Sequence, residues 1–378
     1  MKIVVDENVA FAEEAFSQFG EVLLLHGREI DQPALKDTDA LIVRSITKIN
    51  KALLEGTSVS FVGTATIGTD HVDLEYLHKR STGFADAKGC NADAVTEYVF
   101  TAIFNAAVKK NISLKDKTIG VVGVGTIGSR IVKLAEAYGM KVLMNDPPRR
   151  KKELNAAFVP LEKILTADII TIHTPLTFEG EDKTFHLFNR KNLTRLKEET
   201  IFINASRGEV VDNAALSQLL DEKKLTVILD VWENEPDINQ ALMKKVLYAT
   251  PHVAGYSLEG KINGTKMMVD AMNKFFNKNI LWQPELPECK NAEIEIPTAI
   301  PEDEIMFSLL NKIYNIDEDS NRLKTFSGSE ESPGKYFDTL RKEYPLRREF
   351  TNYTLSLHPF NAELARLLKT FRFHLKLD

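Results

Sequence analysis

The sequence predicts an α/β fold: two doubly wound, parallel-sheet lobes followed by a small α+β C-terminal domain. Three observations predict it. Short apolar runs alternate with helix-period stretches in two successive sets, a glycine-rich turn opens the second set, and the texture changes after residue 282.

The first set starts at the N-terminus. Ile3–Val5 is a strand candidate, Asn8–Phe19 a helix, and Val22–Leu25 and Ala40–Val43 are further strands. Phe61–Gly63 is a fourth, followed by the polar turn Gly68-Thr69-Asp70. Strands separated by helices in this rhythm pair in parallel, since each helix carries the chain back to start the next strand in the same direction. Ala92–Lys109 then reads as a long amphipathic connecting helix, apolar at Val95, Val99, Ile103, Ala106 and Ala107.

The second set opens with Ile119–Val122, an apolar run with the length of a buried strand, and Ile127–Tyr138 carries helix-period apolar residues. Between them lie Gly123, Gly125 and Gly128, spaced G-x-G-x-x-G. In such a turn the first glycine makes the tight bend, the second lets backbone approach a pyrophosphate, and the third lets helix and strand pack closely. The diphosphate then rests on free N–H groups at the positive end of the helix. Asp146 closes the next strand, Lys141–Met144, and lies 23 residues past Gly123. That is near the interval of about 20 at which an acidic residue meets the ribose hydroxyls. A carboxylate there repels a 2′-phosphate and favours NAD over NADP, although Arg149 and Arg150 follow closely. The set continues with Ile169–Ile172, Ile201–Asn204, Val227–Leu229 and Leu247–Ala249. Both sets have the layout of Rossmann/flavodoxin-like lobes.

Beyond the linker Trp282-Gln283-Pro284-Glu285-Leu286-Pro287 the chain is punctuated by Pro297, Pro301 and Pro333. Glu302–Tyr314, Gly334–Glu343 and Ala362–Thr370 read as helices, and Phe371–Leu377 alternates like a strand with one buried face. Asp317–Asp319 forms an acidic patch.

At 378 residues the chain is long enough for two or three domains. A net charge of −6 gives no electrostatic case for nucleic acid or an anionic membrane as partner. Two cysteines, Cys90 and Cys289, do not make a disulfide framework, which points to a reducing, cytoplasmic setting. Met1-Lys2-Ile3-Val4-Val5-Asp6 enters a strand directly without a signal-peptide layout, and no apolar run approaches the roughly 20 residues of a membrane span. His26, His71, His78, His186, His358 and His374 show no metal-ligand spacing, so no metal is expected.

Three ionisable residues follow predicted strand ends in the second set: Arg207, Glu235 and His252. Ligands of parallel sheets collect beyond those ends. Oxidising an alcohol beside a carboxylate needs a base for the hydroxyl proton, and His252 titrates in the right range. A carboxylate on its other ring nitrogen fixes the tautomer, the role given to Glu235. Arg207 offers a forked, permanent charge for the substrate carboxylate. His173, beside Thr174, reads as a hydrogen-bonded wall rather than an acid or base, and Cys90 as structural.

These motifs resemble the NAD-dependent D-2-hydroxyacid dehydrogenase superfamily. The likeness rests on Val122-Gly123-Val124-Gly125-Thr126-Ile127-Gly128, His173-Thr174-Pro175, Asn204-Ala205-Ser206-Arg207-Gly208-Glu209, Asp230-Val231-Trp232 with Glu235-Pro236, and Pro251-His252-Val253-Ala254-Gly255. The resemblance implies hydride transfer to NAD with Arg207, Glu235 and His252 catalytic, and Glu235 is chosen over Glu233 because it directly precedes the proline. Gly123, Gly125, Thr126, Ile127, Gly128, Asp146, Thr174, Asp230 and Gly255 would line the cofactor site.

Further stretches, among them Val43-Arg44-Ser45-Ile46-Thr47-Lys48, Gly63-Thr64-Ala65-Thr66-Ile67-Gly68 and Gly255-Tyr256-Ser257, are similar to a branch of the superfamily in pyridoxal phosphate synthesis. That branch acts on a phosphorylated 2-hydroxy acid as a homodimer. By this resemblance Ser45, Thr66 and Tyr256 contact substrate, residues 1–92 and 253–282 form the substrate-binding lobe, 93–252 the NAD-binding domain, and 283–378 a dimerisation domain. Arg44 and Lys48 are candidate phosphate partners, and Arg347 and Arg348 are candidates to reach a neighbouring subunit's cleft. The alternatives are another dehydrogenase of the same chemistry, of phosphoglycerate or glyoxylate type, and an NAD-sensing corepressor-like binding protein.

Overall fold

A computed structural model of the chain describes residues 1–154, 157–326 and 332–376. They form two compact units, one of Met1–Asn91 with Ser257–Glu288 and one of Ala92–Tyr256 with Cys289–Asp378.

In the first unit, strands β1 (Lys2–Asp6), β2 (Glu21–Leu25), β3 (Ala40–Val43), β4 (Phe61–Thr64) and β5 (Gly83–Asp86) pair in parallel in the order β2-β1-β3-β4-β5. The helix Leu258–Phe276 returns to pack on β4 and β5, burying Met268, Val269 and Met272 in the core that holds Ile3, Val5 and Ile42. The helix expected over Asn8–Phe19 is confined to Ala12–Phe16. The Asp6 carboxylate accepts the Asn8 N–H at 2.9 Å and Phe11 has φ 55°, so residues 7–11 form a turn.

In the second unit, β6 (Thr118–Val122), β7 (Lys141–Asn145), β8 (Ile169–Ile172), β9 (Ile201–Asn204), β10 (Thr226–Leu229) and β11 (Tyr248–Ala249) form a parallel sheet in the order β11-β10-β9-β8-β6-β7. An isolated parallel bridge between Met144 and Phe158 adds a seventh position beyond β7, giving the Rossmann order. The chain reverses its winding direction at β6, so the crevice beyond β6 and β8 is where that architecture collects ligands.

The long helix is Ala92–Lys110, and the expectation of a one-faced amphipathic connector is corrected. Nearly every residue from Ala92 to Ala107 is buried. A helix buried all round needs partners on every side, and four neighbours supply them: the helix Thr126–Tyr138 and strand β9 of the sheet layer, and the helices Glu302–Ile313 and Ile316–Lys324 of the C-terminal segment. The tail therefore shares one hydrophobic core with the sheet, in which Ile103, Phe104 and Ile119 lie with Ile305, Leu309 and Leu368.

The tail carries its own parallel sheet, β12 (Glu293–Pro297), β13 (Thr354–His358) and β14 (His374–Leu375), in that order. The first two strands were not anticipated. The alternation Glu293-Ile294-Glu295-Ile296 buries both isoleucines and exposes both glutamates, the pattern of a strand with one wet face. The strand expected over Phe371–Leu377 shrinks because Arg372 and Phe373 still donate to helix carbonyls of Lys369 and Leu368; Leu377 lies outside the described residues. The acidic patch Asp317–Asp319 is the first turn of the helix Ile316–Lys324, where carboxylates meet the positive end of the helix dipole.

Arg347 and Arg348 do not reach outward, which overturns the neighbouring-cleft expectation. Arg347 is 6% exposed. Its guanidinium donates to Ala254 O at 3.1 Å and Ala94 O at 2.6 Å and lies 4.2 Å from the Tyr314 ring centroid. Arg348, also buried, donates to Asn352 Oδ1 at 2.6 Å. Truncation of Arg347 leaves two buried carbonyls and the Glu97 carboxylate, 3.9 Å away, without their cation. Arg347→Ala is expected to cost about 3–5 kcal/mol of unfolding free energy. A denaturant titration showing a loss below about 1 kcal/mol would contradict this role.

Candidate active site

The ends of β6 to β11 bring the singled-out residues of the second unit to one sheet edge. Gly123 N donates to Asn145 O at 2.8 Å, His173 N to Val122 O at 2.7 Å and Asp230 N to Asn204 O at 3.0 Å. These bonds continue the strand pairing one residue past the ends, so the loops leave side by side.

The glycine turn divides its work among three positions. Gly123 has φ +83°, which L side chains rarely adopt, and a Cβ there would lie 2.6 Å from His173 O. A Cβ on Gly128 would lie 2.0 Å from Gly123 O, so helix and strand could not close. A Cβ on Gly125 would meet nothing within 4 Å. Packing therefore does not explain a glycine at 125, whereas a ligand approaching that backbone does. The helix Thr126–Tyr138 starts at Gly125 without any side-chain cap, leaving first-turn N–H groups, including those of Thr126 and Ile127, for an anion.

Thr174 Oγ1 and His173 Nδ1 are buried and have no hydrogen-bond partner among the described residues. His173 Nε2 pairs with Thr171 Oγ1 at 2.8 Å. Burial pushes the His173 imidazole down to about 3, so it is neutral at physiological pH and serves as a wall. Asp146 accepts from Val124 N at 2.9 Å and from Arg149 N at 3.0 Å. Arg149 donates to Val124 O and to both carboxylate oxygens of Glu153, at 2.7 and 3.0 Å, and is thereby held at the turn. The uncapped helix, the space over Gly125, the orphaned Thr174 hydroxyl and the Asp146 carboxylate fit a dinucleotide.

Glu235 and His252 meet. Glu235 Oε2 lies 2.7 Å from His252 Nδ1, and Glu235 Oε1 accepts from Trp232 N at 2.9 Å, which leaves His252 Nε2 as the nitrogen free to face a substrate. Burial raises the Glu235 carboxyl, yet the charge and hydrogen bond of His252 outweigh it and the net direction is down. Burial lowers the His252 imidazole, yet Glu235 outweighs it and the net direction is up. The neighbouring Glu233 is engaged elsewhere, with His186 Nε2 at 2.6 Å and Asn213 N at 2.7 Å.

Arg207 follows β9 in an extended conformation and donates through Nη1 to Ser206 O at 2.8 Å. Its loop abuts the Glu235 loop. A Cβ on Gly208 would fall 1.9 Å from the Trp232 carbonyl carbon, so backbone packs on backbone there. Asp230 is fully buried and its carboxylate accepts from Thr250 Oγ1 at 2.6 Å, Val253 N at 2.8 Å and Ala254 N at 3.0 Å. It binds the His252 loop directly. Gly255 is half-buried at the end of that loop, and the Tyr256 ring contacts the Tyr344 ring edge-on at 5.6 Å. Tyr344 and Arg341 come from the tail, and no motif in the sequence marks either as part of this edge.

In the first unit, Ser45 and Thr66 lie on loops that leave the adjacent strands β3 and β4, joined where Ala65 N donates to Val43 O at 2.9 Å. Ser45 is exposed, and Thr66 Oγ1 shares a hydrogen bond with Thr64 Oγ1 at 3.0 Å.

Comparison with known proteins decides the family. The family model for the NAD-binding domain of D-isomer specific 2-hydroxyacid dehydrogenases matches residues 93–254, and a domain of unknown function matches 286–371. A curated erythronate-4-phosphate dehydrogenase of Yersinia pestis is 44% identical over all of this chain and all of its own length. The chain belongs to the erythronate-4-phosphate dehydrogenase family of the D-2-hydroxyacid dehydrogenases. More distant members of the superfamily share the fold. The NAD⁺-bound 3-phosphoglycerate dehydrogenase of Entamoeba histolytica superposes with a TM-score of 0.63 at 26% identity, over 73% of this chain and 95% of that one. The D-lactate dehydrogenase of Aquifex aeolicus, complexed with NAD and lactic acid, gives 0.61 at 25% identity, over 73% and 96%.

The glycine geometry separates folding from binding. Gly128→Ala is expected to lower the melting temperature, because its methyl has no space. Gly125→Ala keeps the fold but weakens NAD binding by about tenfold or more, since its methyl occupies the phosphate approach. Calorimetric titration of both variants checks this, and equal NAD affinity of Gly125→Ala and the parent would refute it.

Proposed function

We propose that this chain oxidises the 2-hydroxyl of 4-phospho-D-erythronate to 3-hydroxy-2-oxo-4-phosphooxybutanoate, with NAD as acceptor, in pyridoxal phosphate synthesis. The observation that carries the reading is the 2.7 Å contact of Glu235 with His252 at the sheet edge that also presents an uncapped helix and an open glycine turn. The relative's name supplies the substrate.

His252 Nε2 takes the proton of the C2 hydroxyl, and Glu235 on Nδ1 holds the tautomer and stabilises the imidazolium that results. Arg207 pairs with the substrate carboxylate and polarises the C2 oxygen. When bound, NAD would supply the hydride acceptor for C2. Gly123, Gly125, Thr126, Ile127 and Gly128 would hold its diphosphate, Asp146 its ribose, and Thr174, Asp230 and Gly255 the nicotinamide side. Ser45, Thr66 and Tyr256 are assigned to substrate. A homodimer formed through the C-terminal segment and residence in the cytoplasm complete the reading. Among the described residues no helix is long and apolar enough to cross a membrane.

Purified protein given NAD and 4-phospho-D-erythronate should form reduced nicotinamide, with a 2-oxo acid supplied to regenerate any retained cofactor. Oxidation of 3-phosphoglycerate but not of 4-phospho-D-erythronate would overturn the reading.

The pH dependence follows from the pair. Oxidation needs neutral His252, whose titration lies above its ordinary 6.5 because Glu235 outweighs burial. The rate of oxidation should therefore rise with pH through an inflection above 6.5. In Glu235→Gln the countercharge is gone and burial prevails, so the inflection moves to lower pH while kcat falls about 100-fold or more. An unmoved inflection in that variant would show that His252 is not the titrating base.

A further inference from the structure

The helix Pro333–Lys342 of the tail brings a cation to the catalytic edge that neither the sequence motifs nor the proposed mechanism uses. The start of the helix is docked on the Glu235 loop: a Cβ on Gly334 would lie 2.3 Å from Asp237 Oδ1 and 3.4 Å from Pro236 Cγ. Its middle is anchored by Phe337 and Leu340, both buried in the core beside the sheet. Arg341 follows Leu340, and its guanidinium carbon lies 5.9 Å from the Phe337 ring centroid. The same carbon lies 5.9 Å from the Tyr256 ring centroid. It is close enough to Glu235 and His252 for its charge to act on both.

Two features show that this arginine is not an ordinary ion-paired residue. Only 17% of its side chain is exposed, and its one ion-pair contact among the described residues, to Asp338 Oδ1, is long at 4.0 Å. Its Nε–H is buried and has no hydrogen-bond partner among the described residues. A desolvated guanidinium with an unused donor is unfavourable unless an anion completes it.

We propose that Arg341 is a substrate-specificity residue of this site, pairing with the second anionic group of the substrate, its phosphate, while Tyr256 holds the guanidinium in place. The proposal rests on the reading of the substrate as a phosphorylated 2-hydroxy acid. The substrate carboxylate belongs to Arg207 in that reading, which leaves the far phosphate for a second fork. A guanidinium suits it because phosphate oxygens accept two parallel N–H bonds.

The test compares 4-phospho-D-erythronate with D-erythronate, which lacks the phosphate, in the parent, Arg341→Lys and Arg341→Gln. Where D-erythronate turns over too slowly, its competitive inhibition constant supplies the same comparison. Arg341→Gln is expected to lose roughly 100-fold in kcat/KM for the phosphorylated substrate, mostly through KM, and far less for D-erythronate. Arg341→Lys, which keeps the charge but not the fork, should fall between. The melting temperature and NAD affinity of each variant separate misfolding from loss of the contact. Equal losses on both compounds, or no loss on either, would overturn the role of Arg341 alone. A parent protein that fails to oxidise 4-phospho-D-erythronate would overturn the substrate reading and, with it, this assignment.

Discussion

The buried carboxylate of Asp230 receives three donors, Thr250 Oγ1, Val253 N and Ala254 N, and the position of His252 depends on them. His252 has φ +58°, a left-handed conformation that costs a non-glycine residue about 1–2 kcal/mol and must be imposed from outside. Asp230 imposes it by tying down the residues on both sides. Burial alone would make that carboxylate costly and raises its titration. The three donors and the His252 charge work against that rise. The same hydrogen-bonded chain runs outward, since Tyr98 OH pairs with Thr250 Oγ1 at 2.8 Å and Trp232 Nε1 donates to Thr250 O at 3.0 Å. Asp230 thus orders the loop that carries the imidazole and joins it to the loop that carries Glu235.

This arrangement also explains why two carboxylates two residues apart do different work. Each is paired with a histidine, Glu233 with His186 and Glu235 with His252. Glu233 spends its second oxygen on Asn213 N at the start of the helix Asn213–Glu222, a structural duty. Glu235 spends its second oxygen on Trp232 N, within its own loop, so the loop and the imidazole are fixed by one group. Position in the hydrogen-bond network assigns the roles, which residue type could not.

Much of this was legible in the amino-acid sequence because it is local. Ala40–Val43, Ile169–Ile172 and Ile201–Asn204 are apolar runs whose ends coincide with the strands, and the glycine spacing has a steric cause at each position. Local signals failed where distant segments intervene. The helix Ala92–Lys110 reads as one-faced because its second face is covered by the helix Glu302–Ile313, some two hundred positions later. Arg347 and Arg348 read as candidates for a neighbouring subunit's cleft because nothing nearby in sequence reveals that Ala254, Ala94 and Asn352 receive them. The strand Glu293–Pro297 is a different case, since its alternation is itself a local signal. At the site, Glu235 and His252 were recognisable as strand-end residues, whereas the burden carried by Asp230 depends on three-dimensional closure.

The tail changes how the edge should be understood. The C-terminal segment shares the hydrophobic core of the nucleotide-binding sheet. Through Arg347 it holds the carbonyl of Ala254, one residue from the backbone N–H of Val253 that Asp230 grips. Through Tyr344 it supports the Tyr256 ring, with the Tyr344 hydroxyl anchored on Asp319 Oδ2 at 2.7 Å. The residues 251–256 are therefore clamped from two directions, by the sheet through Asp230 and by the tail through Arg347 and Tyr344. A loop held from one side only could relax the strained His252 backbone by moving toward the open side. Clamping removes that escape, and it makes the tail part of the machinery that keeps the imidazole aligned rather than an appendage to it.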